Sequence, residues 1–494
     1  MFRKTNRADA IAIAMFLLVV VGVGWAQADS GSSAQDGLPP AETGQKPNPA
    51  PPSDQINQPS AHELNPPIVG IDVPALQPPG AETRSFLIPG AQISQSVEAN
   101  EGNPGSGSSI NGVSRGWGTL SLEKLWRRYQ LALDYLGGAA YYSNRPVGLS
   151  SLQLLDVDQH ILWSRGQFAI RDSFSYLPEG NFGAGSFGGS GALGSIGGLA
   201  GGLAGLGILG PGQFASFGEQ PRITNVTIAD VTQYLTPRSS ISGVGSYGFV
   251  HFTGDNNNIG LINSHQIVGQ VAYDYLLNRR DQIAILYAYQ AFQFPSLTGS
   301  TLPPANFVGS SFSTNLVNVL FGRRISGRME FVAGGGPQFV HIDSSEQGSE
   351  NRVTFSGRAS LRYQIKKSQL ALTFFRYNTN GSGIFAGATT NVVRFVVSHP
   401  LSERWVANVD VGYSHNSRIL TLPGQTAQSF GYVYAGGSLY RQLGRQLSGF
   451  ISFQFSNVNP NGSLCMTGFS CSYTSQREVG LIGLDWHPHP IRID

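Results

Sequence analysis

From about Ser114 onward one unit recurs along the chain: an alternating apolar and polar run, a tight polar turn, a second run and a long loose loop. The clearest run sets Val353, Phe355, Gly357, Ala359, Leu361, Tyr363 and Ile365 against Arg352, Thr354, Ser356, Arg358, Ser360, Arg362 and Gln364. Successive side chains of a β-strand point to opposite faces, so one face of this run is apolar and the other carries charge. The rhythm predicts strands that face lipid on one side and water on the other.

The turns divide the chain. Short polar turns fall at residues 126–129, 164–166, 237–240, 278–281, 323–328, 366–367, 400–404 and 444–445. Longer stretches of Gly, Asn, Ser and Pro fall between them, at 144–150, 179–221, 254–264, 295–306, 343–351, 379–388, 415–427 and 457–473. Short turns alternating with long loops match the periplasmic turns and external loops of a transmembrane barrel. Counting from Gly116 gives an odd number of strands, whereas a single-chain bacterial barrel needs an even one. The segment Thr83–Asn100 supplies the missing strand, with Pro89 confined to an edge-like or bulged position. The fold class is therefore all-β: one antiparallel transmembrane β-barrel of about 18 strands, or 16 if one pair is misread.

Composition frames that barrel. Residues 1–28 read as a secretory signal peptide: Arg3, Lys4 and Arg7, an apolar stretch from Ala10 to Gly24, and the small-x-small site Ala26-Gln27-Ala28. Its removal leaves 29 basic and 29 acidic residues from the 32 and 30 of the whole chain, which gives no argument for nucleic acid. Only 13% of the chain is charged, about half the usual share for soluble proteins. Residues 29–82 are rich in Pro and polar residues and read as a disordered periplasmic arm, either a spacer or a contact for a periplasmic partner. The barrel then occupies 83–488 and a tail 489–494. Cys465 and Cys471 lie in one polar loop of an exported chain, where a local disulfide is the natural reading and two surface thiols the alternative.

Aromatic residues cluster at both strand ends. Trp126, Trp163, Tyr234, Trp405 and Tyr440 fall beside short turns; Tyr141, Tyr142, Tyr176, Phe249, Phe294, Tyr377 and Tyr413 fall beside long loops. Two such bands suit the two interfaces of a membrane. With its signal peptide, strand rhythm and girdles, the chain resembles Gram-negative bacterial outer-membrane β-barrels of the porin type, in architecture and without a family motif. The resemblance implies the outer membrane as location, its lipid and small solutes as partners, and a homo-oligomer as one assembly. It also implies a terminal aromatic residue read during assembly; Trp486 fits, but His487-Pro488-His489-Pro490-Ile491-Arg492-Ile493-Asp494 follows it. That tail reads as solvated or as a loose metal ligand.

With the strands placed, 179–221 becomes the third external loop, the one that narrows the pore in porins of this architecture. It is free of charge from Gly180 to Phe217, and Leu193, Ile196, Leu199, Leu203, Leu206 and Leu209 recur at helical spacing. The readings are a weakly helical constriction or a mobile Gly-rich loop. The expected pore-lining charges are Arg171, Arg352, Arg358, Arg362 and Arg394, opposed by Asp156, Asp158, Asp274 and Asp410; they either set ion preference or form cross-strand ion pairs that stiffen the wall. Asp172 falls on the lipid side with Phe168, Ile170, Phe174 and Tyr176, which suggests a register slip or bulge there, or a place at the membrane interface. His251, His341 and His415 near the external rim could join Ser and Asn as in outer-membrane lipases, but no nucleophile motif accompanies them. The arm is too short for the plug of a TonB-dependent transporter. The functional expectation is a passive diffusion channel for small hydrophilic solutes, neither an enzyme nor a cofactor protein. The alternatives are a polysaccharide-export barrel and a structural or adhesive barrel.

Overall fold

The computed structural model describes residues 85–101, 108–143, 148–177, 221–253, 262–295, 309–344, 348–420, 427–462 and 476–493. The signal peptide, the Pro-rich arm, most of the 179–221 loop and both cysteines lie outside them. Eighteen strands form one closed antiparallel sheet. They are β1 (Phe86–Glu101), β2 (Ser108–Leu125), β3 (Tyr129–Tyr142), β4 (Leu149–Trp163), β5 (Gly166–Leu177) and β6 (Arg222–Thr236). Next come β7 (Ser239–Phe252), β8 (Ser264–Leu276), β9 (Asp281–Phe294), β10 (Ser310–Ser326), β11 (Met329–Ser344) and β12 (Gly348–Ile365). The last are β13 (Ser368–Thr379), β14 (Ala388–Pro400), β15 (Trp405–Arg418), β16 (Ser429–Gln442), β17 (Leu447–Pro460) and β18 (Gln476–Trp486), followed by a two-residue strand β19 (Ile491–Arg492).

Each strand pairs with its sequence neighbours, and β1 closes the ring against β18, from Ala91↔Trp486 to Glu101↔Gln476. Closure leaves no open edge, the condition for a sheet to stand in lipid. The strand required by parity is β1. Its Pro89 pairs with Leu120 on one side and lies beyond the last β18 partner on the other, so its missing N–H breaks no ladder there. The chain runs on past β18 in the same direction, and after residues 487–490 β19 resumes antiparallel pairing with β1 at Leu87 and Phe86, one residue out of the β18 register. Ile491 and Arg492 thus extend the sheet, while residues 489–492 remain exposed to solvent, as expected for a solvated tail.

The alternation divides the faces as expected. On β12 the outward residues Val353 and Phe355 are 70% and 56% exposed, whereas Ser356 on the inner face is buried. On β1, Ile93 and Val97 point outward while Ser94, Ser96, Glu98 and Asn100 are buried inside. The girdle expectation needs correction at five residues. Tyr142, Tyr234, Phe294, Tyr377 and Tyr440 share the inward register of Val113, Thr232, Phe292, Phe375 and Ser438. Neighbouring residues alternate in direction, so lying near a strand end does not put a ring on the outside. Trp126, Trp163, Trp405, Tyr141, Tyr176, Phe249 and Tyr413 keep the outward register.

Asp172 also needs correction. The β5 ladders run without a register shift from Gly166 to Leu177, and Asp172 stands on the outer face opposite Thr227. Asn225 Nδ2 donates to both its oxygens at 3.2 Å, and the Thr227 hydroxyl donates to Oδ1. Hydrogen-bond partners on the same face, in place of a bulge, are what let the carboxylate remain there. Among the described residues, the hairpin ladders shift register beside two short turns, at Tyr234/Thr236 and Arg324/Ser326.

Candidate functional site: the barrel lumen

The inner face is built from alternate residues of all eighteen strands, and three groups of its charges stand out. The first sits at the seam. Glu98 on β1 is fully buried and accepts from Arg115 Nη2 on β2 at 2.6 Å and from Arg477 Nη2 on β18 at 2.9 Å. One carboxylate therefore ties the first strand to its neighbour and to the last strand. Sequence reading missed this set, because the three residues come together only once the ring closes.

The second group covers β3–β6. Arg171 lies 3.5 Å from Asp158 and 3.6 Å from Asp230, and His160 lies 2.8 Å from Asp158. Asp134 and Asp156 face each other directly across β3 and β4. Four carboxylates share this wall with Arg171 and, at the external end of β6, Arg222. Carboxylates outnumber arginines four to two here, and Asp134 and Asp156, directly opposite, repel when both are charged.

The third group covers β12–β15. Arg358 and Arg362 lie on the inner face of β12, and Arg394 on β14 donates to Asp410 on β15 at 2.6 and 3.1 Å. The Tyr434 hydroxyl donates to the same carboxylate at 2.7 Å. Arg352 lies at the external end of β12 and pairs with Glu350 at 2.6 Å. Asp274 is buried on the inner face of β8, within 3.5 Å of Gln282. In a ring of eighteen, β3–β6 and β12–β15 stand nine strands apart, on opposite walls. The acidic and the basic groups thus confront each other across the lumen.

The external end holds a feature that sequence reading passed over. Between β13 and β14 the segment 380–387 folds inward, through a 3-10 turn at Gly381–Gly383. Asn380 Nδ2 donates to Ser264 Oγ on β8 at 3.0 Å, and Asn378 Nδ2 to Thr314 Oγ1 on β10 at 3.1 Å. The backbone N–H of Ile262 donates to the Gly383 carbonyl at 2.7 Å, and that of Ile419 to the Gly387 carbonyl at 3.0 Å. This strap reaches inside the barrel from β13–β14 to β8, five strands away. Ile384, Phe385 and Ala386 are buried at its tip, with the Phe385 ring 5.2 Å from Phe430 on β16 and Ala386 clustered with Phe292, Phe294 and Phe312. Gly381, Gly383 and Gly387 have φ of 74°, 81° and 87°, values that side-chain-bearing residues rarely adopt. The signal was present in the sequence: Ile-Phe-Ala between glycines is an apolar plug in an otherwise polar loop.

The remaining candidates are scattered. Leu193, Ile196, Leu199, Leu203 and Leu206 lie outside the described residues, as do Cys465 and Cys471. His251, His341 and His415 stand on the outer face of β7, β11 and β15, and His341 Nδ1 is 2.7 Å from Asn351 Oδ1. The fold does not bring the three together. His487 lies 2.9 Å from Asp485, and no group of three metal-ligating side chains occurs among the described residues. A trough of about 540 Å3 lies on the outer wall, over Gly243, Gly245 and Gly269 and beside Tyr287 and Tyr289, outside any lumen path.

No protein-family model matches the chain, and no curated protein matches its sequence. Among solved structures it is similar to the outer membrane protein OpdK from Pseudomonas aeruginosa, at 9% identity and a TM-score of 0.40, over 81% of this chain and 98% of that one. It is similar to a BenF-like porin from Pseudomonas fluorescens Pf-5 at 11% identity and a TM-score of 0.40, over 82% and 99% of the two chains. For Pseudomonas aeruginosa OccK2 (OpdF) the values are 8% and 0.40, over 81% and 98%.

Proposed function

We propose that the chain is a passive diffusion channel of the bacterial outer membrane for small hydrophilic solutes. The observation that carries this reading is the reversed polarity of the ring: apolar residues outside, with carboxylates, guanidinium groups and amides inside. A ring of eighteen strands is too wide for side chains to fill, so a polar interior implies water. No covalent step is required. Selectivity then follows from the opening the strap 380–387 leaves and from the opposed acidic and basic walls. The Gly-rich loop 179–221, with Leu193, Ile196, Leu199, Leu203 and Leu206, is the second narrowing element in this reading.

The test is conductance of the refolded protein in a planar bilayer, with and without residues 182–216. Steady single-channel steps in the intact protein support the channel, and an increase on deletion supports narrowing by the Gly-rich loop. A barrel shown to be inserted that passes no current in either form would favour a structural or adhesive role instead.

A further inference from the structure

The eight short turns share one pattern. Each is entered or flanked by an exposed large apolar residue in the outward register: Trp126, Trp163, Leu235, Leu277, Ile325 and Ile365, then Leu401 and Leu443. Within three residues of each comes an exposed cation. Three turns carry doublets, Arg127-Arg128, Arg279-Arg280 and Lys366-Lys367. The other five carry Arg165, Arg238, Arg328, Arg404 and Arg445. Between the strand ends these eleven cations meet one carboxylate, Glu403; Asp281, the first residue of β9, is paired with Arg323 near the end of β10 at 3.6 Å. None of the eleven forms an ion pair among the described residues.

The opposite end is built the other way. By sequence, the nine stretches joining strands there hold one cation, Arg145, and four carboxylates, Glu179, Glu219, Asp255 and Glu346. A formal net charge of +2 for the whole chain conceals this separation.

We propose that the short-turn rim is a binding ring for anionic phospholipid headgroups of the leaflet it meets. This rests on the reading of the chain as a membrane-spanning barrel. A partner protein would touch an arc, whereas the apolar-plus-cation unit repeats around the full circumference and so fits a continuous planar partner. The pairing within each unit points to lipid as well. The apolar residue enters the acyl region, and the long cationic side chain reaches back to phosphate. Two aromatic–cation contacts lie on the same rim, Lys124 over Trp126 at 5.9 Å and Arg441 over Trp405 at 5.0 Å. Cations beside an anionic leaflet act within about a Debye length, so the ring acts on the lipids next to the barrel.

The test places the full-length protein in mixed vesicles of phosphatidylcholine and phosphatidylglycerol, extracts it in mild detergent and counts retained lipids by native mass spectrometry. Phosphatidylglycerol should be enriched about fivefold, the factor given by roughly 1 kcal/mol for one engaged cation. The variant R127Q/R128Q/R279Q/R280Q/K366Q/K367Q should bring the ratio close to that of the vesicles. Should that variant fail to fold, raising the salt on the wild-type protein must lower the enrichment in the same direction. Equal retention of both lipids, or an enrichment unmoved by salt and by the six substitutions, would overturn the proposal. Channel conductance is measured separately, so its presence or absence leaves this outcome legible.

Discussion

At the residue scale, Glu98 has the most specific consequence. Its carboxylate is buried between two guanidinium groups, and taking its charge away strands both cations in a poorly solvated place. Breaking a buried ion pair by removing one partner costs about 3–5 kcal/mol. We therefore expect Glu98→Gln to lower the denaturant midpoint of the refolded barrel, and the double variant with Arg477→Gln to recover part of the loss. A midpoint within error of wild type would show that the seam does not depend on this charge. On β12, Arg358→Gln with Arg362→Gln removes cations from the basic wall, whose Arg394 is already matched by Asp410. The reversal potential across a salt gradient should then move toward cation preference; no movement would mean that permeating ions do not sense that wall.

At the element scale, the strap 380–387 offers a direct handle. Gly387 has φ of 87°, and a Cβ there would meet the Phe312 ring. Gly387→Ala therefore carries a backbone cost of about 1–2 kcal/mol together with a clash. We expect the strap to leave its seat and single-channel conductance to rise, while heat-modified gel mobility still reports a folded barrel. Unchanged conductance would show that the strap does not limit flow. The strap also marks where legibility in the sequence stops. β1 could be inferred because evenness is a global requirement, and the short turns because period-two runs end sharply at residues such as Ser164-Arg165 and Lys366-Lys367. Arg171, Asp274 and Asp410 could be placed inside by parity alone. Which residues meet across the lumen could not be read, because Asn380 and Ser264 lie 116 residues apart and local pattern says nothing about a contact across the barrel. The same reason hid Glu98 from Arg477, 379 residues away. Parity also says nothing about a polar residue stabilised in place, and for that reason Asp172 read as a slip.

At the scale of the whole molecule, polarity is distributed along three directions. Outside to inside it runs from apolar to polar, as the bilayer requires. Across the lumen it runs from the carboxylates of β3–β6 to the arginines of β12–β15. Along the axis it runs from a cation-rich rim of short turns to weakly acidic loops. In the proposed channel a solute would meet the second gradient and the surrounding lipid the third, so lumen and rim substitutions should separate in their effects. The six-fold turn variant should leave ion selectivity unchanged to first order while altering lipid retention.

The tail that returns to β1 has one more consequence. Ile493 N–H donates to the Ser85 carbonyl at 3.2 Å, and Lys124 Nζ to the Ile493 carbonyl at 2.8 Å. The two ends of the barrel sequence therefore lie side by side on the short-turn rim. A ring so joined has an order of strands but no privileged origin. A short linker from Ile493 to Ser85, with new termini cut between Lys366 and Lys367, should give a permuted chain that refolds in detergent to the same closed sheet. The numbering from β1 to β18 would then record only where the chain happens to be opened.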